Sequence, residues 1–311
     1  MRRFVKKFIQ KVPDLVHAER SQVKAALDEV DDLQQVCELI QRNECEQCCP
    51  HCGATRIHKH GIRSNLQRYK CTTCSKTFNA LTGTPLAHLR KKELWLKYTD
   101  HMLQSSVLRD IGLKLHCDKN TAFRWRHRFS TWLYKDRPQT LEGIVEADET
   151  YLRISQKGCR HMKRKANKRG GDNSVRGLSK KQVCVLTACD RSMHNLEFIT
   201  GLGPVKGKWL DLQLTPHIAH DAVLVTDGLQ SYNHFCKKEH IEHKVIKSIK
   251  ENYGSYHLQH INAYHSRIKS WVNGHFRGVA TKYLNHYLWW RHELENKHIT
   301  TNSDLFKAVL C

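Results

Sequence analysis

Two cysteine pairs, Cys49 with Cys52 and Cys71 with Cys74, constrain this chain more than any other feature. Two residues between thiols let both sulfurs face one ion while backbone amides support them, and two such pairs complete a closed tetrahedral zinc site. The spacing predicts a structural four-cysteine zinc ribbon within residues 45–80, a module that folds because it binds metal. A further pair, Cys45 and Cys48, lies just upstream. Pro50 stiffens the later knuckle and Gly53 can take the positive φ its turn needs, which favours Cys49 and Cys52 as the ligands. The segment between the knuckles reads as a hairpin turning at Gly61, with Tyr69 and Phe78 covering the metal. His51, His58 and His60 read as surface groups. The chain's 13 cysteines then divide between metal binding and small core positions, a usage that fits a reducing compartment.

Charge narrows the choice of partner. Lys and Arg number 52 against 30 acidic residues, a net +22, which predicts a polyanionic partner such as double-stranded DNA. No run of 18 apolar residues offers a membrane span. Residues 1–44 read as helical, with Leu27, Val30, Leu33, Val36, Leu39 and Ile40 near helical spacing. Residues 81–140 read as a helix over 91–104 followed by a helix-turn-helix. Leu108, Ile111 and Leu115 form its first helix, Asp118 caps the second, and Arg124, Arg126 and Arg128 carry charge toward DNA. An ordinary basic amphipathic helix is the competing reading.

From residue 141 to 298 the pattern becomes α/β: three strands in a meander, a helix over 205–219, a fourth strand ending at Asp227, a fifth at "HKVIKS", and helices over 258–274 and 280–296. That is the element order of an RNase H-like catalytic domain, in which the first and fourth strands are neighbours. Asp148 then lies mid-strand and Asp227 at the end of an apolar strand. Carboxylates buried there need a cation or hydrogen bonds, and hard oxygen ligands suit Mg²⁺ or Mn²⁺. On the helix after the fifth strand, Asn262 and Lys269 lie about 20° apart in helical phase, with His265 and Ser266 nearby on the same side. The amide oxygen of Asn262 can meet a metal and Lys269 can reach a phosphate, although a solvated polar face fits the spacing equally.

The ribbon, "VEADETY", "VTDG" and "INAYHSRIK", taken in order with "RKANKRGG" and "GVATKYLNHYLWW", resemble the DDE-type transposases of bacterial insertion sequences, most closely the zinc-ribbon-bearing ISXO-like group. The resemblance runs from about Cys49 to Lys297. It implies a catalytic set of Asp148, Asp227, Asn262 and Lys269, with Asn in place of the more usual Glu. Two Mg²⁺ or Mn²⁺ ions would be held by Asp148, Asp227 and Asn262, with His265 and Glu251 as reserve ligands; Glu149 matches the motif without being a usual ligand. It further implies cleavage at terminal inverted repeats and strand transfer into target DNA by a homo-oligomer, in the bacterial cytoplasm at the nucleoid. The basic loop over 157–181 would meet DNA through Lys163, Arg164, Lys165, Lys168 and Arg169. Residues 299–311 read as a tail. Asn262 leaves a second reading open, a DNA-binding protein without catalysis.

Overall fold

The computed structural model describes residues 3–42, 48–131, 133, 140–162, 178–247, 254–296 and 299–310. It is a mixed α/β structure in two units, Met1–Trp132 with Ile299–Cys311, and Leu133–His298.

The first unit opens with helices α1 (Arg3–Lys11) and α2 (His17–Arg42). Between them Val12–Asp14 forms a 3-10 turn, because Pro13 lacks the amide an unbroken helix needs. Packing holds the C-terminal half of α2, where Val36 and Ile40 are buried; Leu27 and Val30 of the same apolar series are exposed. Strands β1 (Ile57–Arg63), β2 (Leu66–Cys71) and β3 (Thr77–Phe78) pair in that order. Their hairpin does not turn at Gly61. It turns at Ser64 and Asn65, both left-handed as a type I′ loop requires, while Gly61 relieves a register shift between Lys59 and Ile62 with a φ of +74°.

Helices α3 (Trp95–Leu103), α4 (Leu108–Lys114) and α5 (Lys119–Ser130) complete this unit. The expected tail supplies one more helix, Asn302–Leu310. Its Leu305, Phe306, Val309 and Leu310 fall on one stripe and are buried, and the Phe306 ring meets Trp95 and Phe129. Asn302 anchors the helix start: its carbonyl accepts from Thr99 Oγ1 and its amide donates to Asp100 at 3.0 Å.

The second unit is built on a five-stranded sheet. Its strands are β4 (Ile144–Arg153), β5 (Gln182–Asp190), β6 (Asn195–Leu202), β7 (Val223–Thr226) and β8 (Glu242–Val245), in the order β6-β5-β4-β7-β8. The first three form an antiparallel meander, and β7 and β8 add parallel to β4. Parallel additions need crossovers, and helices α6 (Gly207–Leu214) and α7 (Gln230–Glu239) supply them. Sequence reasoning missed α7, whose buried stripe is short: Tyr232, Phe235 and Cys236 among polar neighbours. β4 is the central strand and divides its side chains by period two. Val145 and Ala147 bury among Leu210, Leu214 and Phe235. Glu146 and Asp148 face the other way, toward α8 (Gln259–Lys269), which runs on into a π-helical turn at Ser270–His275. Helix α9 (Leu284–Asn296) follows, and Trp271, Phe276, Tyr287 and Trp290 form one aromatic cluster with ring centroids 4.9–5.9 Å apart.

One glycine lets β7 end where it does. Gly228 has a φ of +87°, and a Cβ there would lie 2.4 Å from Val245 Cγ1. Gly228→Ala is therefore expected to cost about 2–4 kcal/mol from strain and overpacking together. Urea unfolding checks this, and adding Val245→Ala should return part of the loss.

Candidate functional site

In the first unit the four expected cysteines converge. The sulfurs of Cys49, Cys52, Cys71 and Cys74 all lie within 4.8 Å of one another, and among the described residues they are the cluster of three or more metal-type side chains. Cys49 and Cys74 approach to 3.6 Å and Cys52 and Cys71 to 3.7 Å. The first knuckle is shaped by backbone bonds from Cys52 and Gly53 to the Cys49 carbonyl, with Gly53 at a φ of +73°. In the second, the amides of Cys74 and then Thr73 point at the Cys71 sulfur and pull its pKa down, to about 6, toward the thiolate a metal takes. This set could hold a metal ion such as zinc. Cys45 lies outside the described residues, and Cys48 is exposed away from the cluster. Tyr69 and Phe78 stack on each other across β2 and β3 at 5.7 Å.

On α5, Asp118 caps the helix by accepting from the Asn120 amide at 2.8 Å. Asn120, Arg124 and Arg128 are exposed at four-residue spacing, so they share one face. Arg126 does not join them. It is 1% exposed and its guanidinium donates to the Ser106 carbonyl at 2.6 Å, so the expectation that it faces DNA gives way to a role in holding the turn before α4. Lys163, Arg164, Lys165, Lys168, Arg169 and Glu251 lie outside the described residues.

In the second unit strand register brings the two aspartates near each other. β4 and β7 pair Ile144 with Val223, Val145 with Leu224 and Glu146 with Val225. The same offset carried two residues on sets Asp148 opposite Asp227. Burial pushes the Asp148 carboxyl up to about 6; the Glu149 amide opposes this at 2.8 Å, the Asp227 charge adds to it, and Lys269 pulls the other way. Asp227 is exposed, and one of its oxygens accepts from the Leu229 amide at 3.0 Å. From α8, His265 brings Nδ1 to 3.6 Å from Asp148, too far for a hydrogen bond. Burial and then Lys269 drive the His265 pKa down to about 3, so the imidazole is neutral, and its Nε2 is buried with no hydrogen-bond partner. Asn262 and Lys269 are both exposed on α8.

Sequence reasoning missed the group that fixes α8 over these aspartates. Glu146, buried and two residues before Asp148, accepts from the Ile261 amide in the first turn of α8 at 2.9 Å. Arg191 pairs with Glu146 and donates to the Ser255 carbonyl at 2.7 Å, and His257 Nδ1 lies 3.3 Å from Glu146. A buried carboxylate at a helix N-terminus is favoured by the free amides there, and Arg191 balances its charge. The signal was the alternation in "VEADET", which puts Glu146 and Asp148 on one face. Glu149, on the other face, accepts from the buried Tyr232 hydroxyl, and burial raises it to about 7.

Residues 140–290 match the family model of the ISXO2-like transposase domain. A relative from Halobacterium salinarum, described as a protein in transposable element ISH50, is 28% identical over 247 residues, 77% of this chain and 82% of the relative. The resemblance read from the motif string holds: the chain is similar to insertion-sequence transposases. No helix among the described residues is long and apolar enough to cross a membrane.

Two measurements follow. Purified protein should carry about one zinc per chain by elemental analysis, and Cys71→Ser should lose it and lower the melting temperature. Second, a carboxyl raised on folding costs stability fully above its folded pKa, and the cost disappears as pH falls toward the unfolded value. Without divalent ions, Asp148→Asn should therefore melt above wild type at pH 8, with the advantage shrinking between pH 6 and pH 4.

Proposed function

We propose that this protein is a DNA transposase whose second unit is an RNase H-like phosphoryl-transfer domain. The observation that supports the reading is the β4–β7 register, which, continued two residues past the pairing of Glu146 with Val225, brings Asp148 opposite Asp227, while His265 of α8 lies 3.6 Å from Asp148. The sheet order, with a three-stranded meander and two parallel additions, is that expected of the RNase H-like class. The family match over 140–290 and the relative in a transposable element support the same activity and the same DNA substrate.

The donor set fits a divalent cation. A carboxyl raised by burial, a second carboxylate near it and a neutral imidazole whose Nδ1 lies 3.6 Å from Asp148 are what such an ion would satisfy. Asp148 and Asp227 would hold Mg²⁺ or Mn²⁺, with Asn262 or His265 as the further ligand. Ions bound there would activate the attacking oxygen and stabilise the leaving one. Lys269 would neutralise a phosphate oxygen beside the aspartates. Glu146 and Arg191 hold α8 in place, and Tyr232 fixes Glu149 away from that face. The exposed Asn120, Arg124 and Arg128 of α5 would contact the element's terminal inverted repeats, helped by the four-cysteine ribbon and the basic residues of the 157–181 loop. Action on paired ends would require a homo-oligomer.

A second reading, DNA binding without catalysis, is favoured by one observation: Asn262 brings no charge to a site with two carboxylates and lies exposed. One experiment separates them. With Mg²⁺ and DNA carrying the element's ends, wild type should nick at the terminal repeats. Asp148→Ala or Asp227→Ala should lose cleavage while end binding persists. Asn262→Ala should lower the rate and Asn262→Glu should keep or raise it. Cleavage at the wild-type rate by either aspartate variant removes the proposed site, and no cleavage by wild type on its own ends favours the second reading.

A further inference from the structure

Beyond the aspartates, on the same face of β4, lies a cleft of about 1030 Å³ that the transposition chemistry does not use. Leu152 shares the face of Asp148 by strand alternation and lies about 13 Å further along at ~3.3 Å per residue. The opposite wall is the π-helical turn that continues α8 past Lys269, represented by Val272. β4 and α8 thus run side by side from the aspartates to the cleft: Glu146 meets Ile261, Asp148 meets His265, and Leu152 and Val272 line the cleft together.

The lining combines three chemistries. Leu152, Val272 and Val279 give an apolar interior. Arg277 is an exposed cation at its mouth. Gln156 is a side-chain amide whose Oε1 is buried with no hydrogen-bond partner, an expensive state however the amide is turned. The mouth is also held in a strained form. Arg277 is left-handed at φ +50°, and Lys157 fixes the loop by donating to the carbonyls of Phe276 and Gly278, both at 2.8 Å. Ser155 and Thr281 brace it with reciprocal hydrogen bonds of 2.9 Å. Strain of this kind persists where surrounding bonds over-determine it, and it collects at binding sites.

We propose that this cleft binds an unpaired nucleotide of the DNA strand being cut. The apolar walls would enclose the base, Gln156 would hydrogen-bond its edge, and Arg277 would hold a flanking phosphate. At ~3.4 Å of rise per nucleotide along one strand, 13 Å places it about four nucleotides from the bond at the aspartates. The proposal rests on the transposase reading and extends it: the strand is held open beside the scissile phosphate.

Fluorescence anisotropy with the full-length protein tests it. The probes are a blunt duplex of about 20 base pairs and the same duplex ending in a few unpaired nucleotides. The unpaired end should bind about tenfold more tightly, as the stacking and hydrogen bonds of one base allow. Gln156→Leu and Arg277→Ala should each reduce that preference while leaving blunt-duplex binding near wild type. Arg277→Ala should melt near wild type and Gln156→Leu at or above it, because it removes an unpaired buried oxygen, and Asp148→Ala should keep the preference. 2-Aminopurine in the unpaired end should change its emission with wild type and not with Gln156→Leu. Equal affinity for the two probes, or a preference that survives both cleft variants, overturns the proposal and leaves the cleavage reading untouched. Failure to bind either duplex overturns the transposase reading as well.

Discussion

The parallel pairing of β4 with β7 is the constraint on which the candidate active site depends. Asp148 is raised to about 6 by burial and by Asp227 because the register leaves the two side by side. The arrangement costs folding energy, since an ion-free protein must keep charge near the buried Asp148. Gly228 is part of that cost. It lets the chain leave β7 against Val245 in a conformation that side-chain-bearing residues rarely adopt, and so turns the end of an apolar strand into the position of a carboxylate. A cation between the aspartates would return what the register takes.

α8 is placed by a different interaction on the same strand. Glu146 reaches its first turn from two residues before Asp148, so one strand both presents a carboxylate and fixes the helix that covers it. Arg191 makes this affordable by balancing a buried charge, and its second bond, to Ser255, ties in the segment leading to α8. The helix is therefore held at its beginning, while its end passes into the π-helical turn. Extra residues of that kind bend a helix and recur at functional sites, and here the turn forms the wall between Lys269 and the cleft.

Much of this was legible in the sequence because the relevant patterns have short periods. CxxC spacing marked the four sulfurs that converge, and apolar strand-like runs, one of them leading straight into Asp227, marked the strands carrying the aspartates. What stayed hidden depended on tertiary partners. Helix α7 has too few apolar positions to declare itself until Tyr232 and Phe235 find the sheet. The C-terminal helix looked like a tail because its stripe gains meaning from Trp95 and Phe129, about two hundred residues away in the chain. Arg126 read as DNA-facing by composition alone, yet it lies on the buried side of α5 where a carbonyl waits for it. Glu146 was overlooked because alternation shows which face it takes but not its partner, a backbone amide.

The central claim is that Asp148 and Asp227 together bind divalent cations, and Mn²⁺ titration followed by electron paramagnetic resonance measures this without DNA or turnover. Wild type should bind Mn²⁺ in competition with Mg²⁺. The double variant Asp148→Asn, Asp227→Asn should lose that binding while retaining zinc and a folded melting transition. Mn²⁺ affinity equal to wild type in the double variant would contradict the account.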